Sequence, residues 1–568
     1  MKGDPIMFTR VLRLGLALGA SITLAACSGI GNAMGPPPGT ESSLPQPGSA
    51  AMGVSGVPQP GATLCSATSA CGHIIVVGPG GDFQHALNIA NPGDTITLAA
   101  GSSYNSSPVF TLPLKTGAGY ITIESSALSR LPGAGSRVHP SDVPNMPTLV
   151  GVTTGLPILC SVRCGGTSTA AHNYRFIGVE FKMAPGKWAY QMLEFGSGLE
   201  TTVAALPHDI IIDRCYIHGD PVAGTKRGIN ANAVNLTVEN SYISEIHLVG
   251  QDAQAIGSWN TPGPMAFTNN HLEASGENVM FGGANVNIPG VIPSDILIQH
   301  NYFFKPLTWR VGDPSYAGIH WTVKNSLEFK MAQRVIVSGN VFANCWVDAQ
   351  VGFAILYTPR TQSGAMPWAV VQHITFTNNI VNHAAGGMNI SGKDDAPYGF
   401  PGESNHLLVK NNLFEDINQN NWGGNGRLFQ VLNSTDTLTI DHNVGFETYT
   451  VLLFDGILPI TNFVYTNNIT PHGEFGVAGS GSGEGLPTLN RYTPGYVFLS
   501  NLIFPGNPAI YPPGNYFPAN EAAVGFTNPG AGDYSLRSDS PYKGKGTGGS
   551  DPGVDMNAIT AATAGVAD

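Results

Sequence analysis

Charged residues are scarce in this chain, at 11% of its 568 residues, and basic residues are fewer than acidic ones. The 26 Lys and Arg stand against 38 Asp and Glu, which gives a formal net charge of −12. Proteins that bind nucleic acid need a basic surface to contact the phosphates. The charge balance therefore argues against nucleic acid as a partner. An acidic polysaccharide stays open as a partner if a local basic cluster or a bound cation provides positive charge.

Long helical patterns are also sparse, whereas turn residues are abundant. The chain has 72 Gly and 42 Pro, and its apolar runs are short and rich in β-branched residues. This composition predicts an all-β fold. The length alone would suggest several domains. A solenoid is the exception, because each coil contacts only its neighbours and the array can grow as one domain.

The first residues have the pattern of an export signal. Basic residues precede the apolar stretch 14–26, which is short for a membrane span. The stretch ends in LAAC at residues 24–27, which resembles a bacterial lipobox and implies lipidation of Cys27. An ordinary signal peptide cleaved near the same alanines is the alternative. We predict a signal peptide over residues 1–27, secretion across the cytoplasmic membrane, and a lipid anchor to the bacterial cell envelope as the only membrane contact.

Residues 28–72 are rich in Gly, Pro, Ser and Ala and are interpreted as a flexible tether. Besides Cys27, the chain has six cysteines. Four of them form two closely spaced pairs, which we expect to be disulfides in an oxidising compartment: Cys65–Cys71 and Cys160–Cys164. Cys215 and Cys345 have no sequence neighbour and are expected to be buried thiols.

An internal repeat dominates the rest of the chain. Ten units of alternating apolar residues end in a polar corner position, most often Asn, and are followed by another apolar step. The corner positions are spaced 25 to 39 residues apart. They are Cys215, Ser241, Asn270, Asn301, Asn340, Asn379, Asn412, Asn443, Asn468 and Asn501.

The alternation, as in Ile296-Leu297-Ile298, is that of a strand rather than a helix. Asn suits a corner because it tolerates left-handed backbone and forms local hydrogen bonds. On stacked coils these side chains would form a ladder. A second apolar segment follows each unit, which predicts two or three strands per coil. The amphipathic run 82–90 predicts a helix that caps the first coil.

The repeats and the opening resemble the pectin-lyase-like superfamily over roughly residues 73–545. The resemblance implies an all-β fold: a single right-handed parallel β-helix, or solenoid, with an N-terminal capping helix. Residues 546–568 would then be a C-terminal tail that contributes no chemistry and covers the terminal edge. The superfamily contains lyases, hydrolases, esterases and non-catalytic adhesins, so it implies a carbohydrate partner without fixing a reaction.

Known catalytic motifs of the superfamily are missing. The Asn-Thr-Asp, Asp-Asp and Arg-Ile-Lys set of polygalacturonases is absent, and the one Asp-Asp pair, Asp394-Asp395, is interpreted as a solvated loop. One stretch, SLEFKMAQRVIVSGNVF at 326–342, resembles alginate- and dermatan-type β-helix lyases. Those enzymes place a calcium ion beside a Lys base, with an Arg on the next coil. The resemblance implies catalytic roles for Glu328, Lys330 and Arg360. Glu277, which lies one coil or two earlier, is expected to stack near Glu328 and to supply a second catalytic carboxylate, and the two Glu are candidate Ca²⁺ ligands.

The longest spacings, 39 and 39 residues, flank Asn340 and indicate inserted loops there. Loops on a rigid scaffold often carry binding residues, and Trp rings stack on the apolar faces of sugars. The alternative is that each Trp packs a loop or plugs the solenoid. We predict a substrate groove that contains Trp309, Arg310, Trp321, Trp346, Trp368, Trp259 and Asp252.

Three functions remain open from the sequence. The first is a polysaccharide lyase that cleaves a uronate-containing polymer by β-elimination, with Lys330 as base and Arg310 or Arg360 as the cation. The second is a glycoside hydrolase that uses two carboxylates, chosen among Asp252, Glu277, Glu328 and Asp348. The third is a non-catalytic glycan-binding or adhesive protein. A β-helix with capped ends is expected to be a monomer.

Overall fold

The computed structural model describes residues 72–161, 170–362, 366–394 and 402–567. Within these ranges the chain winds through three long parallel sheets of 14, 13 and 12 strands. Each coil contributes one strand to each sheet in turn, and each strand pairs with its equivalents in the coils before and after it. The predicted parallel β-helix is therefore confirmed, with three strands in a full coil.

The first sheet holds the strands that precede each corner: Ile74–Val77, Thr95–Leu98, Ile121–Ser125, His172–Ile177, His208–Asp213, Val234–Glu239, Met265–Thr268, Ser294–Gln299, Ala332–Ser338, Val371–Thr377, Ser404–Lys410, Asp436–Asp441, Val464–Thr466 and Val497–Leu499. The second sheet follows the corner: Ser103–Asn105, Thr148–Gly151, Glu180–Met183, Tyr216–His218, Tyr242–Ile246, His271–Ala274, Tyr302–Phe304, Val341–Cys345, Ile380–Ala384, Leu413–Ile417, Val444–Glu447, Ile469–Pro471 and Leu502–Phe504. The third sheet completes each coil: Phe110–Thr111, Leu159–Cys160, Leu193–Phe195, Arg227–Ala231, Gln254–Ser258, Val279–Phe281, Leu327–Phe329, Phe353–Tyr357, Gly386–Ser391, Arg427–Leu432, Thr450–Asp455 and Val477–Gly479.

The remaining elements are short. The α-helices are α1 (Phe83–Ile89), α2 (Gln419–Trp422), α3 (Leu486–Tyr492), α4 (Glu521–Val524) and α5 (Met556–Thr563). An antiparallel pair is formed by Phe526–Asn528 and Asp533–Leu536. The 3₁₀ turns are Leu128–Arg130, Pro140–Asn145, Val203–Ala205, Leu307–Trp309, Pro508–Ile510, Pro529–Ala531 and Thr547–Gly549. Within the described ranges, no helix is long and apolar enough to cross a membrane.

The core runs through the middle of the coils. Side chains alternate along each strand, so that Ile296 and Ile298 are fully buried while Leu297 between them faces outward. Aromatic rings stack from coil to coil inside, as Phe329 and Tyr357 do with centroids 5.0 Å apart. Burial of each such side chain contributes roughly 1.5 to 3 kcal/mol, so every coil adds its own share to one continuous core.

The corner asparagines form the predicted ladder. The Asn301 backbone N–H and its side-chain Nδ2 both donate to Asn340 Oδ1, at 2.9 and 3.0 Å. Asn340 donates in the same way to Asn379. Every member from Asn270 onward is at most 1% exposed, so each bond replaces water that the buried amide has lost. Ser241 continues the ladder toward Cys215, whose backbone N–H donates to Ser241 Oγ at 3.0 Å.

The left-handed backbone at the corner lies one residue earlier than predicted. The residue before the ladder position has the positive φ, as at Asn269 (53°) and Asn378 (56°). The ladder asparagines themselves are not among the positive-φ residues of the described chain. The reason is that the turn is made by the preceding residue, which leaves the ladder amide free to point along the stack of coils.

Both ends of the core are covered. The helix α1 begins at the N-cap Asp82, whose carboxylate accepts from His85 N at 2.8 Å, and it buries Phe83 and Leu87 under the first coil. The predicted capping helix is therefore present. At the other end, α3 buries Leu489 and Tyr492 against the last coils.

The chain after Phe504 leaves the sheets, whereas the sequence analysis extended the β-helix to residue 545. The first part of this segment covers the last coil, where Tyr511 stacks on Phe498 and Asn515 Oδ1 accepts from Asn501 N. The later part runs back along the outside of the solenoid, as the sequence analysis expected for a tail at this end. Asp555 N donates to Asn411 Oδ1 at 2.6 Å, and Arg137 donates to the carbonyl of Val566 at 2.7 Å. It packs there because Leu413, Val444 and Ile469 of the second sheet present an apolar outer strip.

The predicted thiols Cys215 and Cys345 are both buried and unbridged. Burial raises the pKa of each thiol to about 12, so neither is a thiolate at neutral pH. The signal peptide, the lipidated Cys27, the tether up to residue 71 and the Cys65–Cys71 pair lie outside the described residues. The same holds for Cys164, the expected partner of Cys160.

We expect Asn340→Ala to destabilise the protein strongly, because it leaves the buried N–H groups of Asn301 without their acceptor. The loss should be about 2 kcal/mol or more in free energy of unfolding. Denaturant unfolding followed by circular dichroism measures it. The exposed Asn557, replaced by Ala, is the control and should change stability by less than about 0.5 kcal/mol. Equal stability of the two variants would contradict a structural role for the ladder.

Candidate functional site

A groove runs along the outer face of the third sheet, with a volume of about 700 Å³. The groove has polar and charged walls on a floor of outward-facing strand residues. Five of its lining residues carry charge near the coil of Leu327–Phe329: Lys324, Glu328, Lys330, Arg360 and Asp394. Three of the residues that the sequence analysis proposed as catalytic thus lie in one groove, and the fourth, Glu277, lies in the neighbouring coil against Glu328.

Glu328 and Lys330 form the centre of this cluster. Leu327 and Phe329 point into the core and are fully buried, so Glu328 between them points outward. Lys330 follows the strand, and its Nζ lies 3.3 Å from Glu328 Oε1. Little of either side chain is accessible to water, at 14% of Lys330 and 3% of Glu328. The ion pair is therefore poorly screened by solvent.

Glu277 contacts Glu328 from the coil before it. Gln254 Nε2 donates to Glu277 Oε2 at 2.7 Å. Glu277 Oε1 and Glu328 Oε2 are buried and have no hydrogen-bond donor among the described groups. The pKa of Glu328 is raised to about 7 by all its surroundings together. Burial raises it most, the Lys330 ammonium lowers it, and the neighbouring Glu277 raises it. A proton on Glu328 removes its repulsion with the neighbouring Glu277 carboxylate.

Lys324 joins the cluster from a position that the sequence analysis missed. Its Nζ lies 2.5 Å from Asp252 Oδ1 and 3.6 Å from Glu277 Oε1. Asp252, predicted as a substrate ligand, is thereby paired with an ammonium. The register between coils brings Lys324 there: Val279 pairs with Leu327 in adjacent strands, which places Lys324 beside Glu277, and no motif in the sequence marks this position.

Arg360 borders the same groove on the next coil. Its backbone N–H donates to Lys330 O at 3.0 Å, and its guanidinium binds both carboxylate oxygens of Asp394, with Nη2 3.0 Å from Oδ1. Half of the Arg360 side chain stays exposed. The interpretation of Asp394 as a solvated loop residue was wrong, because this carboxylate is buried against the guanidinium. Asp395 lies outside the described residues.

Lys305 is a second residue that the sequence analysis missed. Its side chain is fully buried, and Nζ donates to the carbonyls of Ala274 (2.7 Å) and Ser275 (3.2 Å) and to Asn278 Oδ1 (3.1 Å). Burial lowers the pKa of Lys305 to about 8. The ammonium binds the turn that carries Glu277 and so fixes this carboxylate against Glu328. The sequence offered no signal for Lys305, because it is a single Lys that follows the aromatic strand Tyr302–Phe304 and belongs to no motif.

Calcium was expected at Glu277 and Glu328, and the donor set does not fit it. Ca²⁺ takes about six to eight oxygen ligands, whereas these two carboxylates already face the ammonium groups of Lys324 and Lys330. In the described ranges, no three His, Cys, Asp or Glu side chains are grouped as metal ligands.

The tryptophans predicted to bind substrate lie outside this groove, and Trp309 and Trp346 line a separate cavity of about 220 Å³. Trp309, Trp321 and Trp346 are each 4% exposed and form a separate apolar cluster with Trp422. His247 stacks on Trp321 with ring centroids 3.8 Å apart. The long loops around Asn340 lie outside the solenoid and need an apolar core of their own, which these indoles provide.

The other residues predicted to bind substrate are also engaged elsewhere. Arg310 lies over the Trp422 ring at 4.7 Å, beside a small cavity of about 220 Å³ apart from the groove. Trp368 is half-buried and donates to Val291 O at 3.3 Å. Trp259 packs under Arg227, whose guanidinium carbon is 5.0 Å from the ring. Asp348 accepts from His320 in the tryptophan cluster.

No protein-family model matches the chain, and no curated protein matches it. Among solved structures, an alginate lyase from Paenibacillus sp. FPU-7 is 14% identical over 72% of this chain and 97% of its own, with a TM-score of 0.30. A mannuronic acid-specific family 6 polysaccharide lyase from human gut microbiota is 13% identical over 76% and 86%, with a TM-score of 0.42. A pectate lyase is 12% identical over 86% and 96%, with a TM-score of 0.34. At this level of similarity the matches carry no argument about activity.

We expect the free energy of unfolding to fall as pH rises from 4.5 toward about 7, because Glu328 keeps a proton in the folded state that it has lost in the unfolded chain. Glu328→Gln removes this titration. Between about pH 5 and pH 8, the free energy of unfolding of the wild type should fall by on the order of 1 to 3 kcal/mol more than that of the variant.

Urea unfolding of both proteins at the two pH values measures the difference. The exposed Glu521, replaced by Gln, is the control, and its pH dependence should match that of the wild type. If Glu328→Gln also follows the wild type at both pH values, the carboxyl does not hold its proton.

Proposed function

We propose that this protein is a polysaccharide lyase that cleaves a uronate-containing polymer by β-elimination. The observation that carries the proposal is the Lys330 ammonium, which faces the groove 3.3 Å from the buried Glu328 with Arg360 on the next coil. The elongated groove suits a polymer. Its cations suit a carboxylate on each sugar, in a protein whose net charge is otherwise negative.

β-Elimination requires removal of the proton at C5, neutralisation of the uronate carboxylate and protonation of the leaving oxygen. In this proposal, the Lys330 ammonium first passes a proton to the Glu328 carboxylate 3.3 Å away, and the amine so formed takes the C5 proton. The electron pair of the C5–H bond forms the C4–C5 double bond, and the C4–O bond breaks. The leaving oxygen takes a proton from the Glu328–Lys330 pair. Arg360 binds the carboxylate of the sugar. Glu328 supports this role because burial favours its protonated form, so this carboxyl is suited to receive and return a proton beside Lys330.

The hydrolase alternative fits the cluster less well. Glycoside hydrolases separate their two carboxyls by about 5 to 10 Å, so that the glycosidic bond lies between them. Glu277 lies close enough to Glu328 to raise the pKa of its carboxyl, which favours two neighbouring groups over two that flank a glycosidic bond. Asp252 is paired with Lys324, and Asp348 belongs to the tryptophan cluster. A non-catalytic glycan-binding protein would use the same groove without turnover.

The proposal includes the extracytoplasmic location that the first 27 residues suggest. A lipid anchor at Cys27 and a flexible tether would hold the solenoid at the cell envelope, where extracellular polysaccharides are accessible. Labelling with a radioactive fatty acid, compared between the wild type and Cys27→Ala, tests this point. Label in the wild type alone supports the anchor, and label in neither protein contradicts it.

We expect residues 63–568 to release unsaturated uronate from at least one acidic polysaccharide, together with new reducing ends. Ultraviolet absorbance and a reducing-end assay measure the two products. Lys330→Ala should lower the rate at least about a hundredfold, because it removes the base. Lys410→Ala is the matched control: it also breaks a Lys–carboxylate pair, 2.9 Å from Asp441, but outside the groove, and it should keep full activity.

Reducing ends without absorbance would contradict elimination and favour hydrolysis. Absence of both signals with a broad panel of polymers would favour the binding protein. We also expect equal rates with added calcium and with a chelator, since the carboxylates are already neutralised by lysines. A rate that the chelator abolishes and calcium restores would show that the site rearranges around a metal.

A further inference from the structure

The residues on the floor of the groove form one column along the third sheet. The register of adjacent coils aligns one outward-facing residue from each strand. In chain order the column is Asn230, Gly257, Met280, Glu328, Leu356, Asn389, Gln430 and Leu453. Neighbours in this column are about 4.8 Å apart, the spacing of hydrogen-bonded strands.

The exposure of the side chains in this column changes abruptly at the charged cluster around Glu328 and Lys330. After Glu328 every member is partly exposed, from Leu356 to Leu453. Glu328 and the members before it are buried: Met280 is 5% exposed and Asn230 is 1% exposed, although both point away from the core. The groove itself extends only toward the exposed side, from Glu328 to the loop 455–458. The cluster thus lies at one end of the groove.

Specific contacts close the groove at that end. Met280 lies directly beside Glu328 in the register, and its sulfur is 3.7 Å from Lys330 Nζ. One coil further, Arg227 covers Gly257, so closely that a Cβ on this glycine would be 3.0 Å from Arg227 Nε. Trp259 packs on Arg227 at 5.0 Å. These side chains form a wall across the path that a polymer would take.

The loop 196–200 supports the wall from outside. Asn230 Nδ2 donates to Gly196 O at 3.0 Å, which ties the loop to the column. Gly198 packs directly on the Trp259 indole, where a Cβ would lie 2.6 Å from the ring. Two further amides bind this loop: Asn260 donates to Glu200 O and Asn287 to Gly198 O. The wall is therefore held by buried hydrogen bonds on both sides.

We propose that the protein acts on the end of a polysaccharide chain, with Met280 as the residue that sets how far the chain end passes beyond Lys330. This inference rests on the proposed function, because it names the mode of action of the same groove. The wall begins directly beside the base, because the Met280 sulfur lies 3.7 Å from Lys330 Nζ, so little of the chain end passes beyond Lys330. The polymer extends from there over Leu356 and Asn389, and each turnover releases a unit of fixed, short length.

The size of the first products tests the inference. From the earliest times, wild-type protein should release a single short product while the mean length of the remaining polymer falls only slowly. A mixture of oligosaccharides of many lengths at early times would overturn it. Size-exclusion chromatography with light scattering and mass spectrometry measure both quantities.

A matched pair of variants locates the wall. Met280 and Leu356 are the two neighbours of Glu328 in the column, one on the closed side and one on the open side. We expect Met280→Ala to lengthen the main product by one sugar unit and Leu356→Ala to leave its length unchanged. Identical products from both variants would overturn the role of Met280. If Met280→Ala does not fold, the wild-type product profile still decides the mode of action.

Binding distinguishes this inference from the proposed function. Isothermal titration of Lys330→Ala with uronate chains of increasing length should give one protein per chain at every length, because only one kind of chain end enters the groove. If the number of proteins bound per chain rises with chain length, the groove binds along the chain rather than at its end, and the inference of a closed end is overturned. If the wild type degrades no polymer, the proposed function fails. The number of wild-type proteins bound per polymer chain then tests on its own whether one end of the groove is closed. If no polymer binds, both fail.

Discussion

The hydrogen bonds between successive coils are the constraint on which the rest of the structure depends. Each ladder asparagine, such as Asn301, places two donors on the oxygen of the next one, Asn340, while its corner turns the chain from the first sheet into the second. Because these amides are buried, a slip of one coil relative to its neighbour would leave several donors without acceptors. The corner thereby fixes the register of all three sheets.

This register brings the candidate site together from residues distant in sequence. Asp252, Glu277, Lys324 and Glu328 come from three successive coils, and the strand spacing of about 4.8 Å sets their separations. Charges this close are stable in a buried place only when their sum is small. The alternation of ammonium groups and carboxyls, together with a proton on Glu328, achieves this balance. Lys305 contributes from inside by holding the turn that carries Glu277.

The sequence was sufficient to predict the structural elements that repeat from coil to coil, but not the contacts that occur only once. The strands, the corner ladder and the capping helix follow from alternation and spacing, and the outward side chain of Glu328 follows from its apolar neighbours. Lys324 and Asp394 were missed because they lie in loops of unequal length, where contacts depend on the register between coils. The tryptophans were misplaced because an indole packs a loop as readily as it binds a sugar, and composition does not distinguish the two.

Because the ladder bonds repeat from one coil to the next, the length of the solenoid can change in steps of one whole coil. Within the ladder, Asn412 accepts from Asn379 and donates to Asn443, so a whole coil inserted beside it would meet the same kind of partners as the coils it separates. Such an insertion would extend the floor by about 4.8 Å on the side away from Glu328 and leave the charged cluster unchanged. The architecture thus separates two properties: the length of the groove floor, and the arrangement of the charged side chains at its closed end.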